Sequence, residues 1–325
     1  MLTSFAKTHI GQRTINEDSI LVDEKLGLFI VADGVGGLEK GDVASKLACQ
    51  KVMECTKQGR KLDYSVYEAH GALVDQIESN HSKQGMATTI AAVLFTGNQY
   101  QISWVGDTRV YLWDGTLKLL TKDDSYVEML LENGLIDVED LDTHPDRNII
   151  SQALGLRRKE ITIHSNSGIL QKDHILLICS DGLYSIADEI DIINELNLKE
   201  GITNLTEKLV NLAVENNGMD NISLISIKSD VETNQQDKSS IPHVVREFGA
   251  QVDKVKNRFH LSGYVETDPN LVDITELKEL TQQEKDLIES AIQIAPEIKE
   301  KPNNILPAVL FIVLVLVGTL IYFMR

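Results

Sequence analysis

Four aspartates stand where apolar runs meet polar ones. Asp33 ends "LFIVAD", Asp107 ends "ISWVGD", Asp181 ends "ILLICSD" and Asp220 opens "DNISLISIK". An Asp-Gly pair after a strand is ordinary turn chemistry, and any one of these alone would be read that way. Strands packed side by side, however, bring their ends together. Carboxylates gathered at such ends repel one another unless a cation or a proton compensates. An all-carboxylate set suits hard, oxygen-preferring divalent ions such as Mg2+ or Mn2+. With Asp18 of "INEDS" there are ligands for two of them. Arg13, in "GQRTINEDS", carries the planar fork suited to bidentate phosphate recognition, which would hold a phosphoryl group against the ions. No Cys or His falls at matching positions, which argues against zinc.

The elements that must position these residues are strands alternating with helices over residues 1–229. Strand-like runs occur at "SILVDEKLGLFIVAD", "TTIAAVLFTGNQYQISWVGD", "RVYLWDG", "DHILLICSD" and "NISLISIKSD". Helical spacing of apolar residues marks "DVASKLACQKVMECTKQ" and "LTEKLVNLAVENN", and "DSYVEMLLENG" reads as a short helix stopped by Gly134. Short turns at Gly97-Asn98 and "WDGT" favour antiparallel hairpins over βαβ units. The expected class is α+β, with helices packed on the faces of antiparallel sheets.

From Asp230 to Asn304 the chain becomes polar and proline-punctuated, with two helical stretches, and reads as a stalk. The first stretch carries Val245, Phe248, Val252, Val255 and Phe259 at three- and four-residue steps, a seam for packing or pairing with a second copy. The second has a capping box, Thr281 to Glu284. Residues 305–324, "ILPAVLFIVLVLVGTLIYFM", contain no charge and reach the roughly 20 residues that span a bilayer. A single C-terminal transmembrane helix is therefore expected, with Arg325 as its anchor and the bulk of the chain in the cytoplasm. The N-terminus has no continuous apolar segment, so no cleaved secretory signal is expected. A formal net charge of -18 excludes a nucleic-acid binder as the first reading. Cys49, Cys55 and Cys179 have no CxxC spacing, in keeping with a reducing compartment.

In order along residues 1 to 228, "GQRTINEDS", "VADGVGG", "GMATT", "VGDTRVYL", "HPDRNIISQALG", "ICSDGL" and "MDNISLI" resemble the metal-dependent PP2C-type (PPM) serine/threonine phosphatases, the bacterial ones especially. The resemblance implies a central antiparallel β-sandwich flanked by helices, in αββα layers. It implies hydrolysis of phosphoserine and phosphothreonine on proteins by a hydroxide bridging two Mn2+ or Mg2+ ions, with a weaker third. Asp33 would bridge both ions; the Gly34 carbonyl and, through water, Asp18 would complete one site, and Asp181 and Asp220 the other. Asp107 would serve the third ion, sharing Asp181. Arg13 would hold the substrate phosphate and Glu17 support the water shell. Phosphorylated proteins and a cognate serine/threonine kinase near the membrane are the implied partners.

The chain departs from the pattern in places. Val35 replaces the histidine of the DGHGG motif, so no imidazole there can protonate the leaving alkoxide. Asp124 stands where the family often has histidine, and Ala87 where bacterial members commonly have glycine. His144 is retained, with a structural or flap role expected. Cys179 should be dispensable. A competing reading is a membrane-tethered phosphoprotein- or kinase-binding module without turnover; within the enzyme class, the substrate could instead be a phosphorylated anti-sigma-factor antagonist.

Overall fold

The order of strands follows from where the chain can reverse. In the computed structural model, which describes residues 2–35, 40–80, 85–141, 143–156, 161–230 and 242–248, two sheets form. One contains β1 (Leu2–His9), β12 (Ile222–Ser229), β11 (Ile175–Cys179), β8 (Arg109–Trp113), β9 (Leu117–Leu119) and β13 (Arg246–Phe248), in that spatial order. The other contains β10 (His164–Ile169), β7 (Gln99–Val105), β6 (Ile90–Thr96), β3 (Leu28–Ala32) and β2 (Ser19–Asp23). A two-stranded piece pairs β4 (Gly34–Val35) with β5 (Ala87–Thr88). Every pairing is antiparallel, and the turns at Gly97-Asn98 and Asp114–Thr116 close the expected hairpins.

Strand periodicity sorts the side chains into layers. In β3, Phe29 and Val31 meet Leu176 and Ile178 of β11 and Ile225 and Ile227 of β12 in the space between the sheets. Leu28, Ile30 and Ala32 point the other way, onto α1 (Gly41–Lys57) and α2 (Leu62–Ser79). Ile175, Leu177 and Cys179 of β11 likewise turn outward onto α5 (Glu189–Asn197) and α6 (Ile202–Glu215). Strands buried on both faces explain why these segments read as continuous apolar runs. The expected sandwich with helices on each outer face is therefore present.

Two short helices, α3 (Tyr126–Glu132) and α4 (Asp181–Tyr184), lie at the strand ends discussed below. Ser125 caps α3 by accepting the Glu128 N–H, and the chain leaves it at Gly134, as expected. Helix α2 was not anticipated, although Leu62, Val66, Ala69, Leu73 and Ile77 recur at helical spacing and are buried. The larger correction concerns the start of the stalk. Val245 to Phe248, expected at the head of a helix, instead lead into and form edge strand β13 on β9, with Arg246 opposite Leu119 and Phe248 opposite Leu117. Four residues cannot build the seam that the heptad spacing suggested, whereas an open sheet edge offers immediate backbone partners.

All described residues fall in the compact unit Met1–Gly263; a second unit, Tyr264–Arg325, lies outside them. The remainder of the stalk, the Thr281 capping box and the apolar 305–324 stretch are also outside the described residues. Among the described residues no helix is long and apolar enough to cross a membrane.

Candidate metal centre

The registers place the singled-out residues at one end of the sandwich. The end of β1 pairs with the start of β12 (His9 with Ile222), and the start of β12 with the end of β11 (Leu224 with Cys179). In the other sheet, the start of β2 meets the end of β3 (Ser19 with Ala32), and the start of β6 meets the end of β7 (Ile90 with Val105). Arg13, Asp18, Asp33, Gly34, Asp107, Asp181 and Asp220 all lie in or beside the connections at this end.

The backbone around them is pinned by side chains that sequence reasoning had not assigned roles. The Asp33 carbonyl accepts the Thr89 N–H and the Thr88 hydroxyl, both at 2.8 Å, and the Asp33 N–H donates to Thr89 Oγ1 at 3.3 Å. Ser180 donates its hydroxyl to Asp18 Oδ2 at 2.8 Å while accepting the Ser223 N–H at 3.0 Å. Asn221 ties the Arg13 loop to β12: its Oδ1 accepts the Glu17 N–H at 2.7 Å, and its Nδ2 donates to the carbonyls of Ile10 and Ile15. Gly11 lets that loop approach so closely. Its φ is +61°, and a Cβ there would fall 1.9 Å from the Asp220 carbonyl oxygen. The available signal was that these polar residues sit within the quoted motifs, beside the aspartates.

The electrostatics are those of acids crowded out of water. Burial pushes the Asp33 carboxyl well above its ordinary range, and Asp18, Asp181, Asp107 and Asp220 push it further. Burial and then Asp181 do the same to Asp107. Asp18 is raised to about 7, chiefly by burial, against opposing bonds from Ser223 and Ser180. Asp181 is raised to about 6 by burial and by Asp220, with the Asp33 carboxyl in hydrogen-bond contact acting the other way. Asp18 Oδ1 and Asp181 Oδ1 are buried without a hydrogen-bond partner. Orphaned anionic oxygens of this kind need an explanation, and an oxygen-only donor set fits hard divalent ions. The residues present therefore fit the metals implied by the sequence.

The assembly is incomplete in one respect. Among the described residues, no three Asp, Glu, His or Cys side chains converge closely enough to enclose one ion. Asp220 is engaged elsewhere: its Oδ2 accepts from Arg13 Nη2 at 2.7 Å and its Oδ1 accepts the Asn221 N–H. Asp33 and Asp181 touch, whereas Asp220 is turned to Arg13. Glu17 has a partner on α1. Its Oε1 accepts the Gly41 N–H at the first turn of α1, so its contact in the structure is with a helix terminus. Asp124, the family's histidine position, accepts the Gly106 N–H and meets His164 Nε2 at 2.9 Å, so an imidazole reaches this spot from β10. His144 packs edge-on against Tyr126 of α3, in keeping with a structural role.

The protein phosphatase 2C family profile matches residues 6–223. The serine/threonine protein phosphatase PstP of Mycobacterium tuberculosis is 33% identical over 220 residues, which cover 66% of this chain and 42% of that relative; the chain thus spans less than half of that protein's length. The serine/threonine phosphatase stp of Listeria monocytogenes is 32% identical over 223 residues, 65% of this chain and 88% of the relative. Among solved structures, the M. tuberculosis PstP/Ppp phosphatase superposes with a TM-score of 0.65 at 32% identity, covering 71% of this chain and 99% of the other. The catalytic domain of PstP in complex with two manganese ions superposes with a TM-score of 0.61 at 30% identity, covering 70% and 97%. Ordered motifs, the strand ends that gather them and these likenesses agree: the chain belongs to the protein phosphatase 2C family.

Proposed function

We propose that this chain is a metal-dependent serine/threonine phosphoprotein phosphatase. One observation carries the proposal: Asp18, Asp33, Asp107 and Asp181 are all raised by burial, and Asp181 adds to the shift of the other three, while Arg13 faces outward at an exposed mouth. Asp33 would be shared by two Mn2+ or Mg2+ ions, with the Gly34 carbonyl and Asp18 serving one and Asp181 and Asp220 the other; Asp107 and Asp181 suit a weaker third. Such ions supply a water-derived nucleophile at neutral pH and offset the charge that grows on the phosphoryl oxygens.

This chain's residues do the positioning. The Thr88 and Thr89 bonds hold the Asp33 peptide, so its carboxylate does not have to be ordered when substrate arrives. The Arg13–Asp220 pair is solvent-exposed and worth little by itself. A substrate phosphate can therefore take over the guanidinium and release Asp220 Oδ2 inward. With Val35 in place of an imidazole, the departing serine or threonine oxygen takes its proton from solvent. Cys179 is buried, and burial raises its thiol pKa, so it supplies no nucleophile.

We further propose that the 305–324 stretch tethers the enzyme to a membrane with its catalytic domain in the cytoplasm, opposing a serine/threonine kinase there. Membrane recovery of the full chain, and its loss on deletion of 305–324, tests the tether.

The activity test is hydrolysis of a phosphothreonine peptide by the full chain with Mn2+, Mg2+ or EDTA, beside Asp33→Ala and Asp181→Ala. The expected result is metal-dependent release of phosphate that both variants lose, by about 10²-fold or more. A chain that binds Mn2+ yet hydrolyses none of several phosphopeptides would instead be the tethered binding module.

A further inference from the structure

Beside the metal centre lies a cavity of about 260 Å³, whose lining includes Asp107, Asp181, Ser125, Glu128, Arg147 and Arg246. Arg246 lies beyond the family-matched residues 6–223, in a segment that the sequence had assigned to a stalk. That segment is firmly built in. The Val245 N–H donates to the Leu119 carbonyl at 2.8 Å, and β13 continues along β9. Asn166 bonds both backbone groups of His243, its Nδ2 donating to the carbonyl at 2.7 Å and its Oδ1 accepting the N–H at 3.1 Å. Phe248 packs on the core beneath α5 and α6.

From this strand the Arg246 side chain reaches Glu128 of α3 in an ion pair whose members are only 7% and 8% exposed. Burial, and Arg109 next to it, lower the Arg246 pKa to about 10, which leaves it charged at neutral pH. Helix α3 is held at its ends by the Ser125 cap, by the Tyr126 N–H on the Ile149 carbonyl at 2.8 Å and by Lys122 on Glu132, but only Val127 and Glu128 of its seven residues are buried. A helix this short has little stability of its own and takes its position from tertiary contacts. Glu128 is one of the two buried residues of α3 and lines the cavity with Asp107 and Asp181, so the charged head that meets it bears on where the helix stands there.

Resting on the phosphatase reading above, we infer that Arg246 is a positioning residue: by holding Glu128 it sets α3 against the cavity next to the metal centre, where the polypeptide flanking the phosphorylated residue must lie. The residue touches no reacting atom. Its contribution is to acceptance of a peptide substrate.

The test measures KM and kcat on a phosphothreonine peptide with Mn2+ for the full-length protein and for Arg246→Met, Arg246→Lys and Glu128→Gln. Hydrogen exchange of residues 126–132 is followed in the same proteins. The expected result is a fall in kcat/KM of about tenfold to a hundredfold in Arg246→Met and Glu128→Gln, the scale of an ångström-sized misplacement. KM should rise more than kcat falls, Arg246→Lys should recover part of the loss, and α3 amides should exchange faster while 28–32 stay protected. A lowered melting temperature with KM unchanged would make the pair merely structural and overturn the inference, as would unaltered exchange of α3. If the native protein hydrolyses no phosphopeptide, the phosphatase reading fails, and the exchange of α3 still decides whether Arg246 positions it.

Discussion

Two groups of buried acids lie next to each other and are compensated in opposite ways. On the flank, Asp123 and Glu189 share Arg109: its Nε and Nη2 donate to Asp123 at 3.0 and 2.8 Å, its Nη1 to Glu189 at 3.3 Å and to Tyr111 Oη at 3.0 Å. The Arg109 guanidinium also stacks 3.7 Å from the Tyr184 ring centroid. Burial alone would depress the Arg109 pKa, but Asp123, Tyr111 and Tyr184 together more than offset that and hold it well above the ordinary value. In the centre, Asp18, Asp33 and Asp181 have hydroxyls, amides and one another. The flank is finished by folding. The centre is left for a cation that folding does not supply, and Asp107, whose carbonyl accepts the Tyr184 hydroxyl, joins the two.

The sharpest way to break this contrast is to neutralise one acid on each side in metal-free protein. Asp123→Asn leaves a buried guanidinium with Glu189 as its one remaining carboxylate among the described residues, and loss of one partner of a buried pair costs up to about 3–5 kcal/mol. Asp33→Asn removes a repelled carboxyl and should leave the metal-free protein as stable or more so, while removing activity with Mn2+. Urea unfolding of both variants under EDTA measures this. Equal destabilisation by the two would show that the centre is compensated internally after all.

Next in size is the response to pH and metal. Asp18 and Asp181 titrate at about 7 and 6 in the folded chain against an ordinary 3.8. Between those values the folded state keeps protons that the unfolded chain has released, so their contribution favours folding near the lower end. That contribution is lost as pH rises through about 6 and 7. Metal-free protein should therefore weaken across this window. Mn2+ at 100 times its Kd adds about 2.7 kcal/mol, and because the ligands must be deprotonated the gain should be larger at pH 7.5 than at pH 5. Calorimetric melting at both pH values with and without Mn2+ is the measurement, and an equal gain at both would count against a carboxylate-held ion.

The two regions also differ in how far the sequence revealed them. Asp33, Asp107, Asp181 and Asp220 were legible because an acid ending an apolar run is a local pattern, and seven ordered motifs fixed the fold around it. The Arg109–Asp123 pair was not, since nothing in the spacing of a strand residue and one in the connection after β9 says that their side chains will meet out of water. Asp220 shows the limit within the centre itself. Its membership was readable, but its pairing with Arg13 depends on Gly11 and Asn221 bringing two distant segments together. Strand β13 was misread because Val245 and Phe248 satisfy helical spacing, while the deciding factor was the vacant edge of β9.

A smaller effect is expected at Gly11, where the Arg13 loop meets Asp220. Gly11→Ala places a Cβ 1.9 Å from the Asp220 carbonyl oxygen at a φ of +61°. Relief of that clash should cost about 1–3 kcal/mol and shift Arg13, raising KM for phosphopeptide while Mn2+ affinity of Asp33 and Asp181 changes little. Titration calorimetry with Mn2+ beside KM separates the two. A fall in Mn2+ affinity equal to the rise in KM would mean that the mouth and the buried centre are one unit.

The least effect is expected at Cys179, which ends β11 below both regions and is fully buried. Burial raises its thiol pKa, and Arg109 and Glu189 act on it in opposite directions, so at neutral pH it is an uncharged core side chain. Cys179→Ala removes one sulfur from the packing against α5 and α6 and should cost about 1 kcal/mol of stability, with turnover unchanged and iodoacetamide without effect on the native protein. Loss of turnover at full stability would place a thiol in the chemistry, and a centre described entirely by carboxylates and Arg13 would then be missing a member.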